Sequence, residues 1–415
     1  MRRLYGVTKY LEVKKFMGKQ QILIYSVYVI LPIILLAKAK LAGKGEFNDA
    51  FSLEQVKAFQ GFLALCIMLH HIGQKTCASW LFPKTRIVHG LDLFVPIGYL
   101  FVSFFLFFNG YGAYKSFHTK QNYLKGFVKK RILPVVLSLY TTTVIFFIVR
   151  LLVGEKMDLQ GALLYLTSIK LCNPNTWYVI VLPFFYLAFY LAFKFIKKDS
   201  FAVTAVFGFV AAYMLLGTSI DHNSYLIRGE WWWNCVHLFP IGILFAKYEH
   251  KIIPHIKKHY YIYLIASVAL LYPLYRYSVF AQDFFSYYGE NFFAPDKVMR
   301  RRLTLISQML VSTDFVLVCL LPGMKVKIGN KFLKFMGTIT LEFYLIHGLF
   351  VELCDHTFDG GVPSPFTIKN VFLYVLVVFA LGVPSAVLLK KLHALILGLG
   401  KNKKNASDKN AQKAS

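Results

Sequence analysis

Acidic residues are scarce in this chain. It carries 20 Asp and Glu against 47 Lys and Arg, and charged residues of both signs fill only 16% of its 415 positions. Soluble domains carry about 25% charged residues and a smaller apolar share than the 57% found here. A water-soluble globular chain is therefore excluded. Apolar runs of about 20 residues, the length a helix needs to cross hydrocarbon, recur from end to end. They are continuous rather than alternating, which excludes a transmembrane β-barrel. The mean hydropathy of +0.53 agrees.

Other absences narrow the chemistry. There is no GxSxG elbow, no P-loop, no HExxH and no CxxC pair. No His is followed five residues later by Asp. Of the six cysteines, Cys66, Cys235 and Cys319 lie inside apolar runs and read as inert. Cys77, Cys172 and Cys354 fall near one side of the membrane and leave a disulfide between two of them open. The net charge of +27 is spread in short clusters between apolar runs, not over one basic face, so nucleic acid is not an expected partner. No small-residue cleavage site follows the first apolar run, so no removable signal peptide is expected.

What is present is an all-α, polytopic transmembrane helix bundle. Eleven apolar segments can be read, at 21–39, 56–72, 92–114, 132–153, 176–196, 201–217, 232–247, 260–275, 303–321, 335–353 and 370–389. The last ten form the core, and 159–169 is too short to span and reads as interfacial or re-entrant. Connections 115–131, 194–200, 247–259 and 323–334, with the tail from Lys390, hold 24 Lys and Arg; the alternate connections hold 13 over longer loops. The positive-inside rule makes the first set cytoplasmic and places the protein in the plasma membrane with its C-terminus inside. Segment 21–39 conflicts with this, because spanning would put Arg2, Arg3 and Lys9 outside. Pro32 at its centre would equally kink a re-entrant pair, and both readings stay open. The expected division is 1–53 as a basic N-terminal segment with an extra hydrophobic helix, 54–392 as the transmembrane domain, and 393–415 as a disordered basic tail.

The segment 54-EQVKAFQGFLALCIMLHHIGQK-75 is the most informative. Gln60 and His71 lie on one helix face about 16 Å apart, with Ala64 and Ile67 or Met68 between them. Imidazole is costly in hydrocarbon and needs a reason to be there. His71 is the candidate general base, since its side chain takes a proton near neutrality. His70 points about 100° away, so one of the pair is expected to be structural. No third and fourth ligand lie nearby, so no zinc site is expected.

Further polar groups stand out in order along the chain. Asn109, Gly110 and Gly112 are expected to break an aromatic-rich helix, for ligand approach or close helix packing. Asp92 either pairs with a His or is solvated at the interface. Lys125, Lys129, Lys130 and Arg131 precede a helix and suit phosphate, although topology signalling explains them too. Glu342, Tyr344 and His347 are three polar groups inside one span. Trp177 and Tyr178, with Trp231, Trp232 and Trp233, read as interfacial aromatics. Arg300, Arg301 and Arg302 form a basic cluster on the outer side, for an acidic head group or for anchoring. The 276–302 loop is the largest outer candidate for acceptor binding.

Taken in order, these segments resemble the acyltransferase 3 family of integral-membrane acyltransferases. The quoted elements are 60-QGFLALCIMLHH-71, whose His-His ending is similar to Firmicute members, then 104-FFLFFNGYG-112, 129-KKRILP-134, Trp177-Tyr178 and 337-GTITLEFYLIH-347. The resemblance covers about residues 54–390. It implies transfer of an acyl group, often acetyl, from cytoplasmic acyl-CoA to a hydroxyl of an extracytoplasmic glycan, lipid-linked sugar or small molecule. The donor is a co-substrate, and no permanently bound cofactor is expected. His71 takes the catalytic position, with His70, Tyr344, His347 and Glu342 as further catalytic candidates. Lys57, Gln60, Asn109, Lys129, Lys130 and Arg131 would face the donor, and Trp177 and Arg300 to Arg302 the acceptor. Gln60 departs from the family's basic residue beside Gly61, and Lys57 one turn earlier is the substitute. A transporter or flippase using the same polar groups, or a scaffold without activity, are the alternatives.

Overall fold

The structure is a computed structural model. It describes residues 23–78, 81, 89–220, 232–285, 295–358 and 361–411, with side chains as far as residue 398. The expectations for Trp231, for the N-terminal basic residues and for the middle of the 276–302 loop lie outside the described residues.

The elements follow the apolar segments. In chain order they are α1 (Val27–Leu36), β1 (Lys40–Leu41), α2 (Leu53–Thr76), α3 (Gly98–Thr119), α4 (Leu133–Leu152), α5 (Leu159–Leu166), α6 (Trp177–Phe195) and α7 (Asp199–Ser219). Then come α8 (Leu238–Lys258), α9 (Tyr260–Phe284), α10 (Lys297–Gly323), β2 (Val326–Lys327), α11 (Lys331–Thr338), α12 (Thr340–Cys354), β3 (Thr357–Phe358), β4 (Val362–Pro363) and α13 (Val371–Ala411). Two tiny antiparallel sheets, β1 with β2 and β3 with β4, are the only strands among the described residues. Among the described residues seven helices are long and apolar enough to cross a membrane, eight if the bent pair α11 and α12 is one span. The protein is a multi-pass helical membrane protein.

Local chemistry sets the helix that matters most. The Ser52 side chain accepts from the Gln55 amide at the start of α2, Glu54 sits in its first turn and Lys75 in its last. All three favour the helix ends. At Gly61 a Cβ would lie 2.6 Å from the Gly337 amide nitrogen and 2.7 Å from the Leu333 carbonyl oxygen, so α2 and α11 touch backbone to backbone.

α3 is unbroken from Gly98 to Thr119, against the expected break. Gly110 serves helix packing instead. A Cβ there would fall on the Phe239 carbonyl, and one on Gly242 would fall on the Phe107 carbonyl. Those two glycines let α3 and α8 cross in contact.

Segment 335–353 falls on two helices bent by 82°, not on one straight helix. Gly337 presses against the Lys57 carbonyl, and the Thr338 and Thr340 hydroxyls bond back to Phe335 and Met336 carbonyls. The chain turns at Ile339 and starts a fresh helix.

The N-terminal hydrophobic helix α1 is tied to the bundle. Tyr28 stacks on Phe94 at 5.6 Å, and Asn330 donates to the Ile34 carbonyl at 2.7 Å. α1 thus touches both the 90–94 stretch and the 326–330 stretch, and it is shorter than the helices long enough to span. At the other end, α13 continues to Ala411. The expected disordered tail is helical that far, because Leu, Ala and Lys dominate and no proline follows Pro384.

On the side opposite Lys57, the buried Arg150 donates to the Cys172 carbonyl at 2.8 Å and to Glu155 at 2.6 Å. Tyr165 donates to the same Glu155, which pins α5 beneath the bundle. The six cysteines are all free thiols, so no disulfide joins Cys77, Cys172 or Cys354.

Candidate active site

A cavity of about 340 Å³ opens among α2, α3, α6, the residues before α4 and the α11–α12 bend. Lys57, Gln60, Ala64 and Ile67 line it from α2. These positions recur at three and four residues, the stripe of one helix face. The opposite wall supplies Lys130 and Arg131, the α3 wall Asn109, and α6 Tyr178 and Tyr186; the bend adds Thr338, Glu342 and Tyr344. The bend is what admits these last three, since a straight helix would carry its first turns past the cavity.

Lys130 and Arg131 both reach the cavity because residues 128–132 form a π turn leading into α4, a wider turn often found at functional sites. Lys129, expected beside them, is exposed and does not line it.

The cavity ends inward at Ile67, Tyr178 and Tyr344. One turn beyond Ile67 on the same face lies His71, its ring 6.4 Å from that of Tyr344. His71 and His347 lie edge to edge and nearly coplanar, with ring centroids 5.0 Å apart and planes 8° from parallel. Its Nδ1 is 2.7 Å from His347 Nε2, and His347 Nδ1 is 2.7 Å from the Phe343 carbonyl oxygen.

Those two bonds assign the protons. A carbonyl can only accept, so His347 Nδ1 carries a hydrogen and its Nε2 offers a lone pair. His71 Nδ1 must then donate to that lone pair, and His71 Nε2 is left with its own lone pair unshared. No group among the described residues hydrogen-bonds that Nε2. The pair therefore holds His71 in the tautomer a general base requires, with His347 as the orienting partner.

His70 does not join this pair. Its Nδ1 is 2.8 Å from the Phe94 carbonyl oxygen, and its ring fills the space a Cβ would need on Gly98. It packs the start of α3 onto α2, the structural member of the two.

A polar relay crosses the cavity wall. Arg131 donates to Tyr123 at 3.0 Å and bonds Tyr186 as well. Tyr186 donates to Asn109 Oδ1 at 2.7 Å, and Asn109 Nδ2 donates to the Tyr178 hydroxyl at 2.5 Å. Every link points the same way, so the guanidinium charge polarises the chain toward Tyr178. The Tyr178 proton has no acceptor among the described residues, and Tyr344 packs edge-on against it at 5.8 Å. Two phenols at the closed end can thus donate to an oxyanion. Sequence reasoning treated Tyr178 as an interfacial aromatic and passed over Tyr186. The signal was Tyr178, Leu182 and Tyr186 at intervals of four, which sets two hydroxyls on one face.

The remaining expected residues lie elsewhere. Trp177 is buried against Tyr178 and Trp232 and is absent from the cavity wall. Arg301 is fully buried and donates to the Thr218 and Ile220 carbonyls, while Arg302 bonds Thr218 and Ser219 side chains. Both serve the C-terminal end of α7, where cations meet exposed carbonyls. Arg300 pairs with Asp296 at 2.7 Å. The arginine contacts thus match the anchoring alternative, at the end of α7 and within α10. Asp92 caps the Gly90 amide at 2.6 Å and faces His89, not His70.

Comparison with known proteins agrees with this geometry. A family model described as an acyltransferase domain matches residues 53–391. No curated protein and no solved structure matches the chain. With the match running over most of the chain, from the start of α2 to the middle of α13, the protein belongs to the acyltransferase 3 family and is a membrane acyltransferase.

Proposed function

We propose that the protein moves an acyl group, acetyl in the first instance, from cytoplasmic acyl-CoA to a hydroxyl of an extracytoplasmic glycan, lipid-linked sugar or small molecule. The observation that carries this reading is the placement of the His71–His347 pair one turn beyond the closed end of a cavity whose walls hold Lys57, Lys130 and Arg131. Cations at one end suit the phosphates of a CoA donor. A base at the other end suits an acceptor hydroxyl. Gln60 stands where the family carries a basic residue, and Lys57, which lines the same wall, supplies the charge in its place.

In this mechanism the donor thioester lies at the inner end, near Tyr178 and Tyr344. His71 Nε2 takes the acceptor proton as the hydroxyl oxygen attacks the thioester carbon. The oxygen of the tetrahedral intermediate accepts from the Tyr178 and Tyr344 hydroxyls. Collapse breaks the carbon–sulfur bond and releases the thiolate, to which His71 returns the proton. The imidazolium formed midway is stabilised by His347 Nε2, which accepts from His71 Nδ1 throughout.

The test is transfer from radiolabelled acetyl-CoA in membranes holding wild type or His71→Ala at matched levels, with an acceptor-rich native extract. Label entering a glycan or lipid fraction only with His71 present supports the reading. No label above background with several acyl-CoAs overturns it.

A further inference from the structure

Glu342 is out of place in a cavity for an anionic donor. Its carboxylate lines the same walls as Lys57, Lys130 and Arg131, and a carboxylate free to move would pair with one of those cations and cancel it. Among the described residues it pairs with none of them. Its partner is His393 of α13, whose Nδ1 is 3.6 Å from Glu342 Oε1 and 3.1 Å from Ser138 Oγ on α4.

Ser, His and Glu are the residue types of a hydrolase triad, but the geometry excludes one. Both partners meet the same ring nitrogen, whereas a triad uses the two nitrogens separately. Ser138 is also buried and does not line the cavity.

The arrangement is a tether. α13 holds the bend twice: Lys390 donates to the Thr338 carbonyl, and three residues later His393 faces the Glu342 carboxylate. His393 is itself 4% exposed, so it is fixed in place rather than solvated. Its Nδ1 bonds the Ser138 hydroxyl at 3.1 Å, and the Glu342 carboxylate lies within ion-pair distance of the same nitrogen. The charged groups nearest it are Glu342 from α12 and, three residues earlier on its own helix, Lys390. His393 also lies two residues past the stretch that matches the family, 53–391.

We propose that His393 is a positioning residue for the donor site. It holds the Glu342 carboxylate against the α4–α13 wall and so leaves Lys57, Lys130 and Arg131 to the anionic donor. The inference rests on reading the cavity as the donor site.

The experiment measures binding of coenzyme A to purified full-length protein by titration calorimetry, in wild type, His393→Leu, Glu342→Gln and the double variant. Binding needs no turnover, so loss of catalysis does not obscure it. His393→Leu is expected to weaken coenzyme A binding by about tenfold, a typical coupling between interacting groups. The double variant is expected to match Glu342→Gln within about twofold, because without a carboxylate there is nothing to restrain. Equal weakening by His393→Leu in both backgrounds would assign His393 to packing alone and overturn the inference. So would unchanged affinity in His393→Leu beside a wild type that binds. A wild type that binds no coenzyme A overturns the donor-site reading, and the inference falls with it.

Discussion

His71 and His347 share one hydrogen bond, Nδ1 to Nε2 at 2.7 Å, and the Phe343 carbonyl behind them decides which way it points. A backbone oxygen on α12 thereby sets the proton on a side chain of α2. In the proposed mechanism the two helices contribute unequal parts: α2 brings the reacting nitrogen, α12 the orientation.

His71→Ala is expected to lower kcat by about 10²- to 10⁴-fold, the usual worth of a positioned base. His347→Ala is expected to lower kcat on the order of 10²-fold with donor KM little changed, because His71 then loses its tautomer and not its substrate. His70→Ala should cost stability more than turnover. Initial rates and detergent melting curves on the three variants, at matched expression, separate these roles. A His347→Ala enzyme with full kcat would sink the tautomer argument.

Tyr178→Phe and Tyr344→Phe are each expected to reduce kcat by about 10²-fold without raising donor KM, as loss of one oxyanion donor does. Asn109→Ala should reproduce part of the Tyr178 effect, since Asn109 Nδ2 fixes that hydroxyl. A phenol that only packs would move the melting temperature and spare kcat.

Lys130→Ala and Arg131→Ala are expected to raise donor KM by about tenfold each, consistent with loss of a charge-assisted contact to phosphate. Arg131→Ala should also lower kcat, because it opens the relay through Tyr186 and Asn109. Lys129→Ala should leave both constants near wild type, since that side chain is exposed away from the cavity. At rising ionic strength the donor KM of wild type and of Lys129→Ala should climb more steeply than that of Lys130→Ala or Arg131→Ala.

Gly61→Val is expected to destabilise the protein by about 1–3 kcal/mol. The added atoms meet the Gly337 nitrogen and Leu333 oxygen, backbone atoms that cannot turn aside. A melting curve in detergent checks this, and Gly112→Ala, where nothing lies within 4 Å, is the control.

Much of the site could be read from the sequence because it sits on one stripe. Lys57, Gln60, Ala64, Ile67 and His71 fall on a single face by helical spacing alone, and that face lines the cavity and leads to the base. His347 stood out as a polar group in an apolar run. What escaped depends on contacts between segments far apart in the chain. Nothing local in 335–353 announces an 82° bend, which arises where Gly337 meets the Lys57 carbonyl. Tyr178 reads as an interfacial aromatic until Asn109 from another helix is seen to bond it. Arg301 reads as an exposed cation until the last turn of α7 is found wrapped around it. His393 fell in what looked like a solvated tail, because composition alone does not show that a helix continues.

The closed end of the cavity has a consequence for the cell. Two imidazoles bonded in line, with water on both sides, would pass protons from ring to ring and drain the gradient across the membrane. Ile67, Tyr178 and Tyr344 stand between the cavity and the pair, so water in the cavity stops short of His71. In the proposed reaction the donor would come within reach of the base while the bilayer stays electrically tight.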